Sequence, residues 1–85
     1  MMSYTVRLKR SAEKDMERLP ARVQDKVVSV LISLKEEPLP VGAMKLQGRD
    51  GYRIRVGDYR ILYIVDEPQE LVEVLSVAHR KDAYR

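Results

Sequence analysis

Tyr52-Arg53-Ile54-Arg55-Val56-Gly57-Asp58-Tyr59-Arg60-Ile61-Leu62-Tyr63 contains two alternating runs on either side of Gly57-Asp58. Period-two alternation marks a strand with one buried face, and a Gly-Asp pair between two such runs suits a two-residue hairpin turn. Closing the hairpin there sets Val56 opposite Tyr59, Arg55 opposite Arg60, Ile54 opposite Ile61 and Arg53 opposite Leu62. Opposed residues share a sheet face. Tyr52, Ile54, Val56, Tyr59, Ile61 and Tyr63 therefore make an apolar face, and Arg53, Arg55 and Arg60 gather on the other.

Upstream, Tyr4, Val6 and Leu8 alternate with Thr5, Arg7 and Lys9 and predict a first strand. Ser11 reads as an N-cap, and Ala12, Met16 and Leu19 recur at helical spacing until Pro20. Pro20 suits the first position of a second helix, whose apolar stripe is Val23, Val27, Val30, Leu31 and Leu34. Glu36-Glu37-Pro38-Leu39-Pro40-Val41-Gly42 then stops the helix and connects to the hairpin. Downstream, Asp66-Glu67-Pro68-Gln69-Glu70 is a turn, and Leu71 to Ala78 is a last β-rich run with Val72, Val74 and Val77. The order β-α-α-β-β-β predicts an α+β fold, with an N-terminal strand and a helical hairpin packed on an antiparallel sheet.

The 85 residues suit one domain, 1–85. At 45% hydrophobic and 34% charged, the chain is too apolar for disorder and too charged for a membrane protein. The absence of cysteine excludes disulfides, thiolate zinc sites and a cysteine nucleophile. Met1 to Arg10 holds no apolar core of signal-peptide length, so the cytoplasm is the expected compartment. No phosphate loop, dinucleotide fingerprint or metal-ligand cluster is present, so neither a metal nor a small-molecule cofactor is expected.

The net charge is only +3, but it is unevenly placed. Lys45, Arg49, Arg53, Arg55 and Arg60 stand against Asp50 and Asp58, and positive charge returns at Arg80, Lys81 and Arg85. Arg55 opposite Arg60 costs about 0.2–1 kcal/mol in like-charge repulsion. Solvent screening and a nearby carboxylate suffice to explain any one arginine. Three on one face, with two of them roughly 7 Å apart along a strand, suit adjoining anions of a polyanion, and guanidinium forks grip phosphate oxygens in pairs. The ligand this suggests is a nucleic-acid backbone. His79, the chain's one histidine, could act as a general base, although its position alone suits a surface residue or a hydrogen-bonding cap. Tyr84, in a polar tail, could stack on an exposed base.

The blocks "YRIRVGDYRILY" (52–63) and "VLSVAHRKDAY" (74–84), after Lys45-Leu46 and the strand and helical hairpin, resemble the RelE branch of the RelE/ParE toxins of toxin–antitoxin systems. The likeness spans essentially the whole chain and implies a RelE-like fold. It also implies a ribosome-dependent mRNA endonuclease acting in the A site without metal, by attack of the 2′-hydroxyl on the adjacent phosphate. The matching positions are Arg53, Arg55, Arg60, Arg80 and Tyr84. On this basis Arg53, Arg55 and Arg60 hold and neutralise the phosphate, Arg80 stabilises the leaving oxygen and Tyr84 stacks or transfers a proton. Arginine, with a pKa above about 12, is a poor general base, which leaves His79 and Lys45 as further candidates. Arg49, Lys81 and Arg85 are the expected additional RNA contacts. The implied partners are a cognate antitoxin, the ribosome and mRNA, with no membrane. Two other readings fit the sequence: a ParE-like gyrase inhibitor that binds without cutting RNA, and a non-catalytic basic module that binds nucleic acid together with its antitoxin.

Overall fold

The computed structural model describes residues 3–82. Its elements run β1 (Thr5–Leu8), α1 (Arg10–Arg18), α2 (Ala21–Ser33), β2 (Met44–Lys45), β3 (Tyr52–Val56), β4 (Tyr59–Asp66) and β5 (Leu71–His79). The strands form one sheet in the order β1-β5-β4-β3-β2. The α+β class and the hairpin register are as expected, with Arg55 opposite Arg60 and Val56 opposite Tyr59. Gly57 turns at φ +60°, where glycine meets no Cβ penalty.

The sheet departs from the antiparallel expectation because β1 runs parallel to β5, pairing Thr5 with Leu71 through Leu8 with Val74. No turn joins these strands, so local sequence carries no signal of their direction. A further short strand, β2, sits on the outer edge of β3, where Met44 meets Arg53 and Lys45 meets Tyr52.

Both helices pack on one face. Ala12, Val27, Leu31 and Leu34 close over Ile61, Tyr63, Val72, Val74 and Val77, each at most 7% exposed. Each large side chain removed from water contributes on the order of 1.5–3 kcal/mol. Tyr63 has no exposure, and its hydroxyl donates to the Pro38 carbonyl at 2.8 Å, pinning the proline loop to β4. Burial, with a smaller effect from Tyr52, pushes its pKa up to about 12 from the ordinary 10.0. The unfolded chain ionises this tyrosine near pH 10 and the fold resists until about 12. Its contribution to stability is therefore complete below pH 10 and is lost as pH rises through 12, on the order of 2–3 kcal/mol in all. Alkaline unfolding should be steeper in the wild type than in Tyr63→Phe.

Helix α1 begins two residues earlier than the Ser11 cap implied. Lys9 takes the N-cap position without a side-chain bond, and Ser11 Oγ donates to the Leu75 carbonyl at 2.8 Å. Pro20 likewise is the N-cap of α2, not its first turn, and its carbonyl accepts from Gln24 N–H. The β1 strand ends opposite Val74, which leaves the rest of that β5 edge uncovered by sheet. Helix α1 completes it: Asp15 Oδ2 accepts from Val77 N–H at 2.9 Å, beside the Ser11 bond. Asp15 is therefore no solvated charge. Asp15→Ala strands a half-buried N–H and should cost about 1–3 kcal/mol, read as a lower denaturant midpoint at constant slope.

Candidate functional site

The face of the sheet away from the helices carries the arginines in two rows. One runs Arg55 on β3, Arg60 on β4 and Ala78 on β5; the next runs Met44 on β2, Arg53 on β3, Leu62 on β4 and Ser76 on β5. Opposed Cβ atoms lie about 4.5–5.5 Å apart, so Arg55 and Arg60 project as neighbours. Arg55 is exposed and Arg53 and Arg60 are half-exposed. Arg80 joins at the hairpin end: its backbone N–H donates to the Asp58 carbonyl at 2.7 Å, extending the β4–β5 ladder one step to the Gly57-Asp58 turn.

Among the described residues, no carboxylate pairs with Arg53, Arg55, Arg60 or Arg80. The ion pair of this face is Arg7 with Glu73, at 3.4 Å, on opposed positions of β1 and β5 well away from the hairpin turn. Asp58, the acid in the turn itself, meets Arg80 through its main chain. Among the described residues, then, nothing neutralises these guanidinium groups.

His79 lies elsewhere. It pairs with Tyr59, on the helix-side face, and its ring stands edge-on to that tyrosine with centroids 5.4 Å apart. Its Nδ1 accepts from Lys81 N–H at 3.3 Å, which leaves the proton of the neutral ring on Nε2. The reason is a bulge: Leu62 pairs with Ser76 but Tyr63 pairs with Val74, so Leu75 is an extra residue that shifts the phase of everything after it. Without it, His79 would share a face with Arg60.

Lys45 pairs with Tyr52, also on the helix-side face of β3, and sits at the rim of a concavity that opens on the arginine face. That concavity, about 370 Å³, is lined by Met44, Leu46, Gln47, Arg49, Arg53 and Leu62. Its floor was not foreseen: Leu46 and Leu62 are 8% and 4% exposed although neither α1 nor α2 covers this face. The alternation that placed Leu62 beside the arginines was the available signal. Lys81 is exposed in the turn after β5. Tyr84 and Arg85 lie outside the described residues. Among the described residues, no group of three or more His, Cys, Asp or Glu side chains could hold a metal ion, and no helix is long and apolar enough to cross a membrane.

This sheet and helix arrangement is shared with known proteins. A family model described as the ParE toxin of the type II toxin–antitoxin system parDE matches residues 6–84. The chain belongs to the RelE/ParE family of toxins. Toxin RelG of Mycobacterium tuberculosis is 38% identical over 86 residues, 99% of each chain. Solved structures place it on the RelE-type side of the family. The toxin–antitoxin complex RelBE2 of Mycobacterium tuberculosis holds a chain that matches with a TM-score of 0.83 and 34% identity, covering 93% of this RelE-type chain and 100% of that one. The archaeal RelE–RelB complex of Pyrococcus horikoshii also matches with a TM-score of 0.83, at 30% identity over 96% of this chain and 100% of the other.

Proposed function

We propose that this RelE-type toxin is a ribosome-dependent mRNA endonuclease whose arginine rows embrace the phosphodiester that is cut. One observation carries the reading: Arg53, Arg55 and Arg60 share one face, Arg80 is tied to the turn between their strands, and none of the four has a carboxylate partner among the described residues. Like charges in register cost stability, and an anion bound between them reverses that cost.

In the proposed reaction the ribose 2′-oxygen attacks phosphorus as its proton is taken up. The P–O5′ bond breaks, and the departing oxygen gains a proton to become a 5′-hydroxyl, leaving a 2′,3′-cyclic phosphate. Charge builds on the non-bridging oxygens, where fixed guanidinium donors lower the barrier. Arg53, Arg55 and Arg60 hold those oxygens, and Arg80 stabilises the leaving one. Arginine keeps its proton at neutral pH, so proton transfer is assigned to Tyr84, in keeping with the resemblance. His79 is set aside as the base because its partners lie on the other face. Binding on this open face does not by itself fix the 2′-hydroxyl in line with the phosphate, so the ribosome supplies that orientation.

The partner proposed for the resting state is a cognate antitoxin, in keeping with the neighbours' toxin–antitoxin complexes; the unpaired arginines favour an acidic segment of it over their face. The description of the matching family as ParE keeps a second reading in view, gyrase inhibition without RNA cleavage. Purified protein added to a translating extract separates the two. A-site cuts in the message, with purified free RNA cut poorly, support the nuclease; intact message with gyrase-dependent DNA breaks supports the second reading.

A further inference from the structure

We propose that the concavity beside Arg53 is a nucleobase subsite, seating the base of a nucleotide next to the phosphate held by the arginine rows. The inference rests on the nuclease reading and adds a contact to it. The floor is apolar: Leu46 and Leu62 are nearly buried, and Met44, in the same row as Arg53 and Leu62, is 53% exposed. A flat aromatic base gains by covering such a surface, and a methionine thioether adapts to it. Gly51 makes room for the floor, since a Cβ there would stand 3.2 Å from Leu46 Cδ1. The rim is polar in the way a nucleotide needs. Gln47 is exposed, makes no hydrogen bond to the described residues, and offers both a donor and an acceptor to a base edge. Arg49 and Arg53 stand over the same hollow with no carboxylate partner among the described residues.

Arg53 belongs to both the hollow and the rows. Arg55 follows two residues along β3, roughly 7 Å away, the reach from one phosphate of an extended strand to its neighbour. A single strand lying along β3 can therefore place one base in the hollow while adjoining phosphates meet Arg53 and the Arg55–Arg60 pair. A purely apolar peptide side chain would fill the floor and leave the rim cations unanswered.

The test is NMR of the full chain, observing the methyl groups of Met44, Leu46 and Leu62 and the guanidinium groups of Arg55 and Arg60. It is titrated with a 2′-deoxy trinucleotide, which lacks the attacking hydroxyl, with the same trinucleotide abasic at its centre, and with a short acidic–apolar peptide. The base-bearing trinucleotide should move the floor methyls and bind roughly tenfold tighter than the abasic one. Met44→Ser and Gln47→Ala, both at exposed positions, should erase that difference at unchanged melting temperature. Equal binding of the two trinucleotides, with shifts confined to Arg55 and Arg60, overturns the subsite and leaves the nuclease reading standing. Floor methyls moved by the peptide alone also overturn it. Absence of any shift with either trinucleotide removes both the subsite and the phosphate-binding rows on which it rests.

Discussion

Replacing Arg60 by alanine is expected to lower message cleavage on translating ribosomes by about 10²–10³-fold, the usual cost of removing one preorganised donor from a developing oxyanion. The same loss is expected for Arg80→Ala. What sets Arg60→Ala apart is its effect on the fold. Arg60 stands directly opposite Arg55 with no carboxylate partner among the described residues, so deleting its charge removes a cross-strand repulsion. Stability should hold or rise, by about 0.2–1 kcal/mol. Loss of activity together with unchanged or improved stability is the pattern of a residue kept for chemistry at the expense of the fold. Arg60→Lys should recover part of the activity, because an ammonium restores the charge but not the two-pronged fork. Paired measurements of cleavage rate and denaturant midpoint check all three variants. A large stability loss in Arg60→Ala would mark the residue as structural.

Gly51→Ala should be the most damaging single substitution to the fold among those considered. Gly51 sits at φ +121°, a conformation that L side chains rarely adopt. A Cβ there would also lie 2.9 Å from the Tyr63 carbonyl oxygen and 3.3 Å from Ile64 Cγ2. The carbonyl belongs to the central strand and cannot turn aside, and Gly51's own carbonyl accepts from Leu46 N–H at 2.9 Å, so the loop cannot lift away without losing that bond. Strain and clash together should cost about 2–4 kcal/mol, a large share of the stability of a domain this small. Thermal unfolding read by circular dichroism is the check. A shift of only a degree or two would mean that the loop is free to move, and the Leu46–Leu62 floor would then be no fixed surface.

The hairpin was legible because its signal is local: a two-residue turn fixes every pairing that follows, and the arginine rows follow with it. The helical stripes were legible for the same reason. What escaped depends on partners remote in sequence. The direction of β1 is set by β5, some 66 residues away in the Arg7–Glu73 pair. Asp15 looks like one charge among many until its partner, Val77 N–H, 62 residues on, comes into view. His79 went to the other face because of the bulge at Leu75, whose trace in the sequence is slight: the buried valines run 72, 74, then 77, a step of three where simple alternation gives two. Read as a bulge, that step would have placed His79 beside Tyr59 and away from Arg60.

The chemistry at the 3′ end of the upstream fragment, from message cut on ribosomes by the purified protein, tests the central proposal most directly. Arginine-held attack by the neighbouring 2′-hydroxyl predicts a 2′,3′-cyclic phosphate there and a 5′-hydroxyl on the downstream fragment. A 3′-hydroxyl paired with a 5′-phosphate would mean that water, not the ribose, was the nucleophile, and would contradict it.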